Sequence, residues 1–271
     1  MKKLRIYKPF IGAGMQEAAT YRVNWLFYIL GNMMACLVSY FIWKAVYSSG
    51  ENAAIEGFTM PQMVVYLVMM FLTNTIIGSD VSYVIGEEIR DGAISMRMLK
   101  PISYNATFLF QEIGNKLLTE FILVFPLVIS AEALRFVFNG SIQFKVNVLI
   151  LYLISGTLAY LINFLFNICF GFAAFITKNL WGVNLVKECI VGFLSGAIIP
   201  LSFLPDSVEK VFLFLPFSSL NYTPVMIYLE KYNGITLLYY VGLQIFWVAV
   251  FWVLSKILWK TISRRLSVQG G

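Results

Sequence analysis

Glu87, Glu88, Arg90 and Asp91 form the densest cluster of ionisable side chains in the sequence, inside GEEIRDGAISMRMLKPISY, Gly86 to Tyr104. Side chains of these types at this spacing can pair as ions or present charge to another protein. General acid–base catalysis at neutral pH most often uses histidine, and the chain has none. There is also no glycine-rich loop ending in Lys-Ser/Thr, no HExxH and no GxSxG. The chain is therefore not expected to be an enzyme. Cys36, Cys169 and Cys189 lie far apart, each within an apolar run, which argues against a disulfide framework or a zinc site; no metal is expected.

The other side chains with chemical potential are polar groups stranded in apolar sequence: Asn32, Asn74, Asp80, Asn163 and Asn167. In a transporter such groups are candidates for the translocation pathway. Asn163 and Asn167, spaced i,i+4, share one helical face. Plain interhelical hydrogen bonding, about 0.6 kcal/mol on average in a membrane, accounts for them at least as well.

Membrane-spanning helices must hold these residues in place. The 271 residues are 59% apolar and only 13% charged, with a mean hydropathy of +0.78. A soluble domain carries about 25% charged residues. Exposed backbone in lipid must satisfy its hydrogen bonds internally, and the strict alternation of a membrane barrel is absent. The fold class expected is all-α: a polytopic integral membrane protein with six transmembrane helices.

Charge-free windows locate the spans. Arg22 to Lys44 encloses 21 uncharged residues and Glu56 to Asp80 encloses 23. The third span runs through FILVFPLVISA, between Glu120 and Glu132, with Pro126 as a kink. An ionised group at mid-bilayer costs about 2.5 to 3.5 kcal/mol by insertion scales, so the two glutamates belong near opposite interfaces. Lys145 to Lys178 encloses 32 uncharged residues, a long or tilted fourth span. The fifth runs from Trp181 toward Pro200, and the sixth fills the 24 residues between Lys231 and Lys256. With both termini cytoplasmic, fifteen of the twenty lysines and arginines fall inside. Only Lys44, Arg135, Lys145, Lys210 and Lys231 lie outside, which satisfies the positive-inside rule.

Two segments do not read as spans. Residues 4–20 are too short and polar to cross and read as an interfacial amphipathic helix within a cytoplasmic segment 1–22; no cleavable signal peptide is read there. Residues 195–231 are apolar yet interrupted by Pro200, Pro205, Pro216 and Pro224. Four prolines break any single helix, so short helices dipping into the outer leaflet are expected over 200–231, between spans five and six. Residues 259–271 form a basic cytoplasmic tail.

The charged loop, 84–104, lies between spans two and three on the cytoplasmic side. Glu87 and Arg90 can pair at i,i+3, and Ile89, Ile94, Met98 and Leu99 supply apolar anchors, with Met96 an adaptable contact. Its order, an acidic residue, Ile-Arg-Asp-Gly, a hydrophobic stretch and Leu-Lys-Pro-Ile, resembles the coupling helix of type-2 ABC exporter permeases. SGAIIPLSFLPDSVEKVFLFLPFSSLNYTPVMIYLEK, Ser195 to Lys231, is similar to that family's stretch after span five. The resemblance covers nearly the whole chain as a single permease domain, and is closest to the multidrug or viologen-exporter branch, whose members are often encoded with a second permease.

The resemblance implies a membrane subunit that binds no cofactor itself, with ATP and Mg²⁺ held by partner subunits, two per complex. Glu87, Glu88, Ile89, Arg90, Asp91, Gly92, Ile94, Met98 and Leu99 would dock on them. Gly196 with Pro200, Pro205, Pro216 and Pro224 would form a re-entrant gate. It also implies a second permease, as homodimer or heterodimer, and residence in the bacterial cytoplasmic membrane; nucleic acid is not an expected partner. The competing expectation is a self-sufficient secondary transporter or channel, but the inverted repeats and midplane charge relays of that class are not found.

Overall fold

The computed structural model describes residues 5–49, 54–98, 102–139, 145–177 and 180–263. They fold almost entirely as helix, with one two-residue hairpin, β1 (Ala54–Ile55) against β2 (Phe58–Thr59). The helices are α1 (Lys8–Thr20), α2 (Arg22–Ser49), α3 (Met60–Ile77), α4 (Val81–Arg90), α5 (Ile94–Met98) and α6 (Tyr104–Asn139). They continue with α7 (Val146–Gly171), α8 (Trp181–Leu194), α9 (Asp206–Phe214), α10 (Tyr222–Tyr228) and α11 (Gly234–Ser263).

Among the described residues, four stretches are long and apolar enough to cross a membrane: Arg22–Ser49, Met60–Arg90, Val146–Phe175 and Gly234–Ser263. They coincide with the first, second, fourth and sixth uncharged windows. The second is not one helix, because the chain breaks at Gly78–Asp80 between α3 and α4. Helix α6 carries Pro126 in its interior and runs 36 residues, about 54 Å at 1.5 Å per residue. Helix α8 has 14 residues, about 21 Å, short of the ~30 Å hydrocarbon core.

Local chemistry sets the ends. A capping box starts α3: Thr59 Oγ1 accepts from Gln62 N at 3.5 Å and Gln62 Oε1 from Thr59 N at 3.3 Å, with Pro61 in the first turn. Pro205 precedes α9, whose first turn carries Asp206 and Glu209 against the helix dipole.

The core lies in two apolar clusters, one on each side of the α3–α4 break. One gathers Met63, Tyr66 and Met69 of α3 with Tyr152 of α7 and Tyr222 and Tyr228 of α10. The other gathers Ile85 of α4, Ile94 of α5, Phe108 of α6 and Phe164 of α7, beneath a Tyr104–Trp259 ring stack at 4.1 Å. Buried Gln244 of α11 ties the layers by donating to Ser155 O (3.2 Å) and Ser219 O (2.8 Å) and accepting from Ser155 Oγ (3.0 Å).

Helix α1 belongs to the helical body. It packs along the first third of α6 through Gly14 and Gly114, with Tyr7 stacked on Phe110 at 4.8 Å. Gln111 Nε2 donates to Glu17 Oε2 at 3.1 Å. At the other extreme, α2 buries little of itself: Phe27, Met34 and Phe41 are each more than 60% exposed.

Candidate functional site

The charged segment folds as two short helices, α4 and α5, around Gly92. Its φ of +73° is left-handed, the geometry in which glycine ends helices without a Cβ penalty. Gly92 N donates to Ile89 O at 3.3 Å and Ser95 Oγ to Gly92 O at 2.8 Å, closing the turn. Ile85 and Ile94 sink into the core and fix the pair of helices to the body. Gly171 of α7 leaves room for Ile85, since a Cβ there would lie 3.0 Å from Ile85 Cβ.

Glu88 and Arg97, both largely buried, form an ion pair between α4 and α5. Arg97 Nη1 also donates to Thr107 Oγ1 at 3.0 Å, and its guanidinium lies 4.0 Å from the Phe108 ring centre. Arg90 Nε pairs with Asp91 Oδ1 at 3.0 Å in the open. Glu87, Arg90, Asp91, Gly92 and Met96 make up the solvent face, with Met96 72% exposed.

These placements revise parts of the sequence expectation. Arg90 takes Asp91 rather than Glu87 as its partner, because adjacent side chains at the helix terminus meet once α4 stops. Ile94, read as an anchor for a partner, is 4% exposed and spent on the chain's own core, and Ile89 packs half-buried against the same cluster. Met98 closes α5; Leu99 lies outside the described residues.

The break between α3 and α4 gathers polar side chains from three other helices. A helix leaves its last four carbonyls without intrahelical partners. Here Asn74 O accepts from Gly78 N at 3.0 Å. Lys116 Nζ of α6 donates to Thr75 O (3.3 Å), Ile76 O (2.7 Å) and Glu120 Oε1 (3.0 Å), using all three of its protons. Asn163 Nδ2 of α7 donates to Ile77 O at 2.7 Å. A cation at a helix C-terminus is the arrangement the helix dipole favours.

The far side of the break is held by the same two helices. Ser79 Oγ donates to Glu112 Oε1 at 2.8 Å, and Ser82 Oγ lies 3.0 Å from Asn167 Oδ1. Glu112 and Lys116 are i,i+4 on α6; Asn163 and Asn167 are i,i+4 on α7. Each pair thus places one member on the end of α3 and the other beyond Gly78, Glu112 on Ser79 within the break and Asn167 on Ser82 in α4. Tyr160 OH donates to Glu112 Oε2 at 3.0 Å, and Asn167 Nδ2 to Asn163 Oδ1 at 3.0 Å, linking the two sets.

Helix α8 adds a third arm. Lys187, 8% exposed, donates to Asn167 Oδ1 at 2.6 Å and Ser82 Oγ at 3.1 Å, with the Phe170 ring centre 5.0 Å away. Asn184 Oδ1 lies 3.0 Å from the same serine. An isolated buried ion is expensive, and these polar contacts with flanking ring faces are what offset it.

Of the pathway candidates, Asn163 and Asn167 therefore serve as structural donors and acceptors between helices. Asn32 bonds back to Tyr28 O at 2.8 Å on its own helix. Asn74 sits one turn before the break, and Asp80 is exposed at the start of α4.

The expected gate residues lie in the connection from α8 to α11. Gly196 has φ +78° and its carbonyl accepts from Tyr66 OH at 2.6 Å. Pro200 and Pro216 are buried, Pro205 is exposed, and Pro224 lies buried inside α10. Lys231 closes the segment with its ammonium 3.4 Å from the Phe58 ring centre and 2.7 Å from Gly57 O. Burial pushes that ammonium below the usual lysine range.

Ser79, Ser82, Glu112, Tyr160 and Asn184 are not among the candidates the sequence offers, and Lys116 and Lys187 count there only as charges that set topology. The usable signal was the Glu112/Lys116 spacing on a helix that continues as apolar sequence. Among the described residues no group of His, Cys, Asp or Glu could hold a metal ion.

No curated protein matches the chain. A family model described as ABC-2 family transporter protein matches residues 33–270, which span α3 through α11 with most of α2. With its long apolar helices, the chain is a multi-pass membrane protein and a transporter permease belonging to the ABC-2 family.

Proposed function

We propose that this chain is the membrane subunit of an ATP-driven exporter, working with two separate ATP-binding subunits that carry the ATP and Mg²⁺. It has six spans, the two beyond the four long apolar stretches being α6 and the segment from Trp181 toward Pro200, of which α8 is the helical part. Both termini lie on the cytoplasmic side of a bacterial inner membrane, and α9 and α10 dip into the outer leaflet. One such chain is half a pathway, so a second permease, identical or homologous, completes it.

The observation that carries the reading is the α4–α5 unit. Its inner side is anchored by Ile85, Ile94 and the Glu88–Arg97 pair, while Glu87, Arg90, Asp91 and Met96 face outward. A rigidly held charged face with one large flexible apolar side chain suits docking in a groove on another protein. The test is affinity purification of the tagged chain from native membranes. A co-purifying ATP-binding subunit is expected, and Arg90→Glu with Met96→Asp should release it without changing the melting temperature. Retention of the subunit by that double variant would sink the docking assignment.

A further inference from the structure

We infer that the break at Gly78–Asp80 is a splinted elbow rather than a free hinge. On this reading Glu112, Lys116, Asn163 and Asn167 are positioning residues that pass movement of the α4–α5 unit into α6 and α7. The inference deepens the proposed coupling function and rests on it for the direction in which movement travels.

Three observations carry it. First, all four terminal carbonyls of α3 are satisfied, and three of them by side chains from outside the helix: Lys116 holds Thr75 O and Ile76 O, and Asn163 holds Ile77 O. A loose hinge would leave such carbonyls to water or to a backbone cap. Second, each splint spans the break. On α6 Lys116 grips the end of α3 and Glu112 the first residue beyond Gly78; on α7 Asn163 grips the end of α3 and Asn167 the first turn of α4. Rotating α4 against α3 must therefore break the Ser82–Asn167 bond or carry α7 along, and turning the chain at Gly78 meets the Ser79–Glu112 bond to α6 as well. Third, glycine at the break is not there for an unusual conformation. Gly78 has φ −48° and ψ 137°, and a Cβ would meet nothing closer than 3.4 Å.

The side chains, rather than backbone freedom, set the angle. Apolar contacts would allow sliding; oriented hydrogen bonds in a low-dielectric setting do not. A push on the loop then reaches α6 and α7 at the level of the break instead of dissipating in an elbow.

The test compares the wild type with Lys116→Met, Asn163→Leu and the milder Ser79→Ala, with Lys116→Arg as the conservative control. In the purified chain in nanodiscs, amide exchange over 78–82 should accelerate about five- to tenfold in Asn163→Leu and Ser79→Ala, the scale of one lost hydrogen bond, more in Lys116→Met, which gives up two carbonyls of α3, and stay near wild type in the control. Unchanged exchange in every variant that folds overturns the splint.

In complex with the co-purifying ATP-binding subunit, spin-label distances are measured before and after trapping with ATP and vanadate. A Met96–Ile176 pair reports the loop and a Val137–Ile235 pair the far ends of α6 and α11; all four sites are exposed. Both distances should shift in wild type. With the splint broken, the loop pair should still shift while the far pair keeps its nucleotide-free value. A far-end shift that survives in the broken variants overturns the transmission role. If neither pair shifts in wild type, the coupling function falls, and the exchange experiment alone decides the splint.

Discussion

Gly14 of α1 and Gly114 of α6 bring two helix backbones into direct contact. A Cβ on Gly14 would lie 2.0 Å from Gln111 O, and one on Gly114 would lie 2.1 Å from Ile11 O. Neither obstacle is a side chain that can swing aside. Small residues at helix crossings in membranes permit this approach, and it converts α1 from a surface helix into part of the α6 assembly. Gly14→Val or Gly114→Val must push α1 away and expose Ala18, which is buried. Overpacking typically costs about 1–3 kcal/mol, and a backbone obstacle belongs at the upper end. Limited proteolysis near residues 8–20 should be faster in either variant, whereas Gly12→Val, with nothing within 4 Å, should leave it unchanged.

The glycines of the break and of the two left-handed turns separate in the same way. Gly78→Ala fits its backbone and its space, so stability should hold or rise by about 0.4–1 kcal/mol through the unfolded chain. Gly92→Ala has open space but a left-handed φ, a cost of about 1–2 kcal/mol. Gly196→Ala combines a left-handed φ with Tyr222 Cδ2 at 3.1 Å and Leu201 Cγ at 3.2 Å, and should be the worst of the three. Thermal unfolding in one detergent ranks them, and any other order contradicts the geometry.

Tyr66→Phe removes a single oxygen from the buried centre of α3. That hydroxyl donates to Gly196 O at 2.6 Å, the one polar tie between α3 and the turn leaving α8 among the described residues. The orphaned carbonyl should cost about 1–3 kcal/mol, seen as a lower melting temperature with the helical circular dichroism intact. A variant as stable as wild type would mean that this turn holds itself.

The long apolar elements were legible because uncharged windows record the length a bilayer demands: the windows after Arg22, Glu56, Lys145 and Lys231 mark the four long stretches. The break at Gly78 was not, although glycine after an apolar helix is a stop signal. The charge-free window runs on to Asp80 and hides it, and the groups that end α3, Lys116 and Asn163, lie 40 and 86 residues away. Local sequence cannot announce a helix end whose caps come from other helices. The same holds for Ile94, whose spacing fits an outward anchor equally well until it is seen buried in the cluster that holds Phe108 and Phe164.

Arg90 and Arg97, seven residues apart in one loop, should behave oppositely. Arg90 and Asp91 are each more than half exposed, where water screens an ion pair, so Arg90→Ala should leave the melting temperature unchanged and affect only partner binding. Arg97 is mostly buried and serves three groups at once: Glu88, Thr107 and the face of Phe108. Arg97→Met takes the guanidinium away from the largely buried Glu88 carboxylate. The full penalty for a broken buried pair is about 3–5 kcal/mol; residual solvent access at both side chains reduces the expectation to about 1–3 kcal/mol. Arg97→Lys should rescue little of this, because an ammonium cannot fork to two acceptors while stacking on a ring. Amide exchange across 88–98 is the discriminating measurement. It should rise in both Arg97 variants and stay flat in Arg90→Ala, since only Arg97 joins α5 to α4 and to α6. Equal protection in all three would show that Ile85 and Ile94 alone hold the loop, and that its charges are free for a partner.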